Sequence, residues 1–422
     1  MGMSCLASAR ASAAISAVVL GEIMHWFIQI LVVVAGIWAS PSVRGAAPFF
    51  RDRLVFPVQS AHVHSSCIVE CPNGDLLACW FQGSGERRAS DVAIVGARLR
   101  RGAEDWSAVF PMADAPDFPD LNPVLFIDAK NELWLFWITV LAERWEDSLL
   151  RYRKAKEYQG AGSPHWYWQD DLLLKPDDRF AEAIRRGLGG LSADDADYGS
   201  LVEHPFVQLT EAAKDLGKRQ RGWMPRTHLL VLPSGRILFP FYSDGYYVGL
   251  IAISDDLGKR WHTSEPIVGI GLNQPTLVRK RDGTLVAYMR REGPPPRRVQ
   301  LSTSKDDGET WSPAVATSIP NPDSSLEVIA LKDGRWVMAY NDSERLDDRS
   351  QLILALSDDE GATWRWKRAV ESRPGGRFHY PSMLQTRDGR LQLTYTFQPE
   401  DERHRSIKHV ALDIDWVKVT PP

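Results

Sequence analysis

The sequence predicts an all-β chain folded as a six-bladed β-propeller, with a partly helical insertion between its second and third hairpins. Three observations predict it. The motif Ser-x-Asp-x-Gly-x-x-Trp occurs as Ser254–Trp261, Ser304–Trp311 and Ser357–Trp364, and its copies start roughly 50 residues apart, the period of stacked supersecondary units. A turn residue leading into an apolar strand recurs six times, at Gly74, Asn131, Gly235, Gly283, Gly334 and Gly389. After the last of these hairpins one more strand, Ile407–Val417, precedes the end of the sequence, so the final blade lacks a strand.

Each element has a local cause. In the repeated motif, Ser and Asp bond back to turn amides, Gly supplies a positive φ, and Trp covers the turn on its apolar side. Those residues are structural. Asn73-Gly74, Asp282-Gly283, Asp333-Gly334 and Asp388-Gly389 between apolar runs are strong hairpin signals, Ser234-Gly235 is similar, and Lys130-Asn131 is a weaker copy with Asn in the Gly place. Six four-stranded blades close into a ring. The missing strand of the last blade is expected from the N-terminal segment near Arg53–Val58, which leaves no open edge. The second and third hairpins stand about twice as far apart as the others, which places an insertion at residues 143–222, with helices over Ala181–Leu188 and Thr210–Leu216. Long insertions project over one face of such a ring, where functional loops collect.

Composition narrows the function classes. A net charge of −4 over 422 residues gives no electrostatic basis for nucleic-acid binding, and the cluster Lys214, Lys218, Arg219, Arg221 and Arg226 reads as a solvated face. Trp26–Ala39 is a compact apolar run ending in small residues, with Arg10 upstream. Residues 1–45 therefore read as a secretory signal, with an N-terminal membrane anchor as the alternative and Met24 as a second possible start. Export to the periplasm or the exterior follows, and the propeller is expected over residues 50–420. Cys67, Cys71 and Cys79 are odd in number, against a disulfide framework; a Cys67–Cys79 cross-strand bridge is open, and buried thiols are the simpler reading. No Cys/His spacing suits a metal, and no cofactor is implied.

In a propeller the innermost strand of each blade lines the central channel. Nine residues before each turn residue stand Ser65, Asn122, Arg226, Gln274, Ser325 and Tyr380, all polar, with Pro following at three of them. They are expected at strand mouths, meeting at one end of the axis, with His64, His228, Glu327 and His379 one or two positions away. Arg290, ending the second strand of blade 4, and Arg349, opening the third strand of blade 5, suit bidentate capture of a carboxylate. Asp91 and Glu86 fall in the loop between the second and third strands of blade 1, where a side chain can overhang the channel.

On these motifs the chain from about Phe50 onward resembles the sialidase (neuraminidase) superfamily, in particular its bacterial branch of BNR-repeat, or Asp-box, proteins. Asn122-Pro-Val-Leu-Phe126, Pro320-Asn-Pro-Asp323 and Ile407-Lys-His-Val410 are similar to that branch. The resemblance implies Tyr380 as nucleophile, Asp91 as acid/base, and Arg290 and Arg349 as two of three arginines that grip a substrate carboxylate. Tyrosine is the known exception to the two-carboxylate scheme of glycosidases. Two positions depart from the pattern. His64 stands where the first arginine is expected, and Gln274 where a glutamate activates the tyrosine; an amide cannot accept that proton. Glu327 is a candidate substitute base. The resemblance thus implies an exported exo-glycosidase releasing a terminal acidic sugar from a glycan partner, with His64, Glu86, Asn122, Arg226 and Gln274 around the substrate. The alternatives are a glycan-binding propeller with lapsed catalysis and a polysaccharide lyase acting on uronates.

Overall fold

The computed structural model describes residues 47–189, 206–293, 295–400 and 404–419. The signal or anchor expected over residues 1–45 lies outside them. Among the described residues no helix is long and apolar enough to cross a membrane.

Six antiparallel sheets follow one another along the chain. Their inner strands are His62–Glu70, Asp120–Ile127, the broken pair Met224–Pro225 and Leu230–Val231, Leu272–Arg279, Glu327–Ala330 and Arg377–Gln385. Every hairpin turn residue has positive φ, including Asn131 at 59°, so Asn does replace Gly there. The second strands read as unbroken apolar runs because both their faces are covered; all of Leu133–Thr139 and Ile237–Ser243 is buried. Trp80, Trp137, Phe239, Tyr288, Trp336 and Tyr395, one per second strand, are fully buried, and the core lies in the layers between blades.

The Asp-box serine makes the same two bonds in all three copies. The tryptophan N–H closes the turn only in the first two, Trp364 Nε1 having no hydrogen-bond partner among the described residues. Gly258 N–H donates to Ser254 Oγ at 2.9 Å, Ser254 Oγ donates to Asp256 at 3.0 Å, and Trp261 Nε1 donates to Gly258 O at 3.1 Å. The glycine is packed tightly: a Cβ on Gly361 would strike the Tyr288 hydroxyl of the neighbouring blade and come within 2.9 Å of the Trp336 ring of its own, and its φ is +81°.

The ring closes on the N-terminal segment, a few residues earlier than expected. Phe50–Leu54, not Arg53–Val58, pairs with Ser406–Leu412, whose C-terminal continuation Ile414–Lys418 is a 3-10 helix rather than strand. The insertion is shorter than predicted. Leu149–Glu157 and His165–Asp171 are ordinary third and fourth strands of blade 2, so only the stretch from Asp171 to Met224 is extra. Its helices are Asp178–Gly189, Phe206–Ala212 and Leu216–Arg219. Phe180 and Trp223 pack on Tyr246, in the loop between the second and third strands of blade 3. The basic cluster is no solvated face throughout, because Arg219 and Arg226 are buried. Cys67 and Cys79 are register partners, yet Cys67, Cys71 and Cys79 are each free and buried.

Candidate active site

Of the six polar ring positions only Ser325, just ahead of Glu327–Ala330, stands at a strand mouth. Ser65, Asn122, Gln274 and Tyr380 lie inside their inner strands, each at a β-bulge, with φ of 59°, 51°, 54° and 57°. A bulge turns a side chain out of the pleat, and a left-handed residue ahead of proline is strained by about 1–3 kcal/mol. The proline at three of these bulges has no N–H to pair in the ladder. Blade 3 contributes Arg226 from the gap between its two short inner strands. Its guanidinium donates to Pro381 O at 2.9 Å and Ser66 O at 3.5 Å, while Thr227 Oγ1 donates to Pro275 O at 2.6 Å. Blade 3 thus caps the carbonyls that three bulges turn toward the axis.

Above this hub is a cavity of ≈ 230 Å³, whose lining includes His64, Glu86, Asn122, Gln274, Arg290 and Tyr380. Its walls add Tyr242, Asp244, Asn273 and Glu292, with Phe81 and Trp145 as apolar surface. The Tyr380 phenol oxygen accepts from Arg290 Nη1 at 3.0 Å and from Gln274 Nε2 at 3.1 Å. Gln274 and Asn122 also reach the Tyr242 hydroxyl, at 3.4 and 3.1 Å. The Tyr380 ring lies 4.0 Å from the His64 ring, and the Arg226 and Arg349 guanidinium groups stand 4.9 and 5.9 Å from its centre.

Electrostatics assign states to these groups. Burial works against the Arg290 charge, but Tyr380 and the Asp323 carboxylate, 2.5 Å from Nε, hold it firmly protonated. His64 and His379 are driven well below the usual histidine range, first by burial and then by neighbouring histidines and arginines, so both are neutral. Burial also opposes the Glu86 charge, yet the His62 hydrogen bond and charge keep its carboxyl below the ordinary value. Asp244 goes the other way. Burial, then the charge of Glu292, push its pKa up to about 7, and it makes no hydrogen bond or ion pair among the described residues.

Four expected residues stand apart from the cavity lining. The exposed Asp91 carboxylate folds back on Ser84, taking its N–H at 3.0 Å and its hydroxyl at 2.6 Å, and these bonds hold it below the usual carboxyl range. A group so held is ionised, the wrong state for a general acid. Glu327 is buried beneath the site, bound to His228 Nδ1 at 2.7 Å and to Met383 N–H at 2.5 Å. It joins blades 3, 5 and 6 across the axis and makes no hydrogen bond to Tyr380. Arg349 precedes its strand, pairs with Asp347 at 3.0 Å and donates to Asp323 O at 3.0 Å. Arg226 is an axial buttress under the Tyr380 ring rather than a wall of the cavity.

Asp244, Tyr242 and Glu292 escaped the sequence reading. The signal was available: Ser243-Asp244-Gly245 occupies in blade 3 the loop between second and third strands that Asp91 occupies in blade 1.

A ring of Asp-box blades around one axial tyrosine and a guanidinium defines a sialidase-like propeller. The BNR repeat-like domain family matches residues 74–188 and 221–393, and the chain belongs to that family. Among solved structures, a protein of unknown function from Dyadobacter fermentans is similar at 14% identity and TM-score 0.64, over 86% of this chain and 99% of that one. The NanB sialidase of Streptococcus pneumoniae is similar at 13% identity and TM-score 0.63, over 86% and 71%. An intramolecular trans-sialidase from Ruminococcus gnavus is similar at 13% and 0.62, over 89% and 100%. At such identities the likeness is one of fold. No curated protein matches the sequence.

Proposed function

We propose that the protein is a glycoside hydrolase of sialidase type that releases a terminal acidic sugar, with Tyr380 as nucleophile and Asp244, in place of Asp91, as proton donor. The observation that carries the reading is the pair of donors on the Tyr380 oxygen. Gln274 cannot take the phenol proton, but Gln274 Nε2 and Arg290 Nη1 both stabilise negative charge on that oxygen. The proton passes to solvent in the cavity. The phenolate attacks the anomeric carbon while the leaving oxygen takes the Asp244 proton. Water then attacks the tyrosyl glycoside, gives its proton to Asp244, and frees Tyr380. Arg290 meets the sugar carboxylate, and sugar hydroxyls face Glu86 and Glu292.

The test is cleavage of a panel of sialosides and uronides, with products identified by mass spectrometry. Tyr380→Phe and Asp244→Asn should each lower kcat at least 100-fold while the circular dichroism spectrum stays that of wild type. Wild-type rates in both variants would overturn the mechanism. Gln274 and the turned-away Asp91 favour a second reading, a glycan-binding propeller without turnover; saturable sugar binding with no product after prolonged incubation identifies it. Export forms part of the proposal, supported by the composition of residues 1–45, and cell fractionation checks it.

A further inference from the structure

A second cavity, of ≈ 480 Å³, lies at the seam between blades 6 and 1, at the end of the inner strands opposite the axial site. The turns at Gly74 and Asp388 and the outer strand Phe50–Leu54 build its rim. Six arginines line it, Arg51, Arg53, Arg100, Arg101, Arg387 and Arg390, against only two carboxylates, Glu70 and Asp388. Three of the arginines are neutralised. Arg51 pairs with Glu104 at 2.8 Å, Arg100 with Asp75 at 2.7 Å, and Arg387 with Glu70 at 3.1 Å. Arg390 reaches Asp413 and Asp388 only at 3.8 and 4.0 Å.

The other two guanidinium groups have no carboxylate within ion-pair distance, although Asp105 and Glu104 act on Arg53 from farther away. Neither Arg53 nor Arg101 makes a side-chain hydrogen bond or ion pair among the described residues, and Arg53 Nη1 is a buried donor without a partner. Burial, then the charge of Arg51, pull the Arg53 pKa down against the opposing charges of Asp105 and Glu104. His409, on the same wall, is buried and held neutral, so it offers no compensation. A partly buried cation with a buried, unpartnered donor gains from a bound anion, and guanidinium forks match tetrahedral oxyanions.

We propose that this cavity binds a sulfate or phosphate group, free or as the ester of a small polar molecule, through Arg53 and Arg101. The site is separate from the axial cavity and does not depend on its chemistry.

The experiment is calorimetric titration of the full chain, at fixed ionic strength, with sodium sulfate, sodium phosphate, glucose 6-sulfate and glucose 6-phosphate. Sodium chloride serves as reference. One saturable site is expected for at least one of them. Tighter binding of an ester than of its inorganic ion identifies an ester site, and equal binding identifies a free-anion site. Arg53→Gln and Arg101→Gln should each weaken binding about tenfold or more, the worth of one charge-assisted hydrogen bond. Tyr380→Phe should leave it unchanged. Arg101 is exposed, so its variant tests the idea even if Arg53→Gln does not fold. No binding beyond chloride, or undiminished binding by Arg101→Gln, overturns the proposal.

Discussion

Asp244 and Asp91 occupy equivalent loops and have opposite fates. Asp91 is exposed and bound by Ser84, which favours its charge; Asp244 is tucked beside Glu292 without a donor, which disfavours it. The pH dependence follows. A proton donor with a pKa of about 7 loses its proton as pH rises, so kcat should fall above that point, and the Asp244→Asn variant should show no such limb in its residual rate. Stability carries the same sign. Unfolded, this carboxyl titrates near 4, so folding opposes its ionisation and native stability declines as pH rises from about 4 to about 7. Asp244→Asn removes that cost. It should therefore be more stable than wild type at pH 8, by about 1–2 kcal/mol once solvent at the cavity mouth is allowed for, and equal to it at pH 4. Urea melts at the two pH values read this directly.

Turns and bulges are the elements that determine how the blades meet. Gly361 and Gly389 share a positive φ but not a neighbourhood: a Cβ on Gly361 strikes the Trp336 ring, whereas one on Gly389 meets nothing within 4 Å. Gly389→Ala should therefore cost about 1 kcal/mol, the backbone penalty alone, and Gly361→Ala about 2–4 kcal/mol, seen as a lower denaturation midpoint at constant slope. Such turns were legible in the sequence because a left-handed residue demands Gly or Asn, and a fixed period exposes the repeat. Polar side chains at the hub were legible for the same reason, nine residues back from each turn. Their setting was not. A bulge leaves no composition of its own, so Asn122, Gln274 and Tyr380 were read as strand starts. Which way a loop carboxylate turns depends on contacts distant in sequence. Hence the sequence points to Asp91 rather than Asp244, and it does not reveal that His228 and Met383 occupy Glu327.

Across the whole molecule, closure is the decisive feature. Phe50–Leu54 covers the outer edge of blade 6, with Phe50 opposite Leu412 and its ring stacked 4.5 Å from Trp416. Removing residues up to Val55 exposes a strand edge, and the truncated chain should lose cooperativity in thermal melts and associate through that edge, detectable by light scattering. An unchanged, monodisperse melt would show the ring to be held by its interblade layers alone.

That same seam sets a timetable for biosynthesis. The first strand of the propeller to be made is among the last to find its place, because its partner Ser406–Leu412 is the last strand of the ring to be synthesised. At elongation rates of about 5–20 residues per second, the wait is of order tens of seconds. Throughout it, five and a half blades accumulate with a gap that only the waiting N-terminal ribbon can fill.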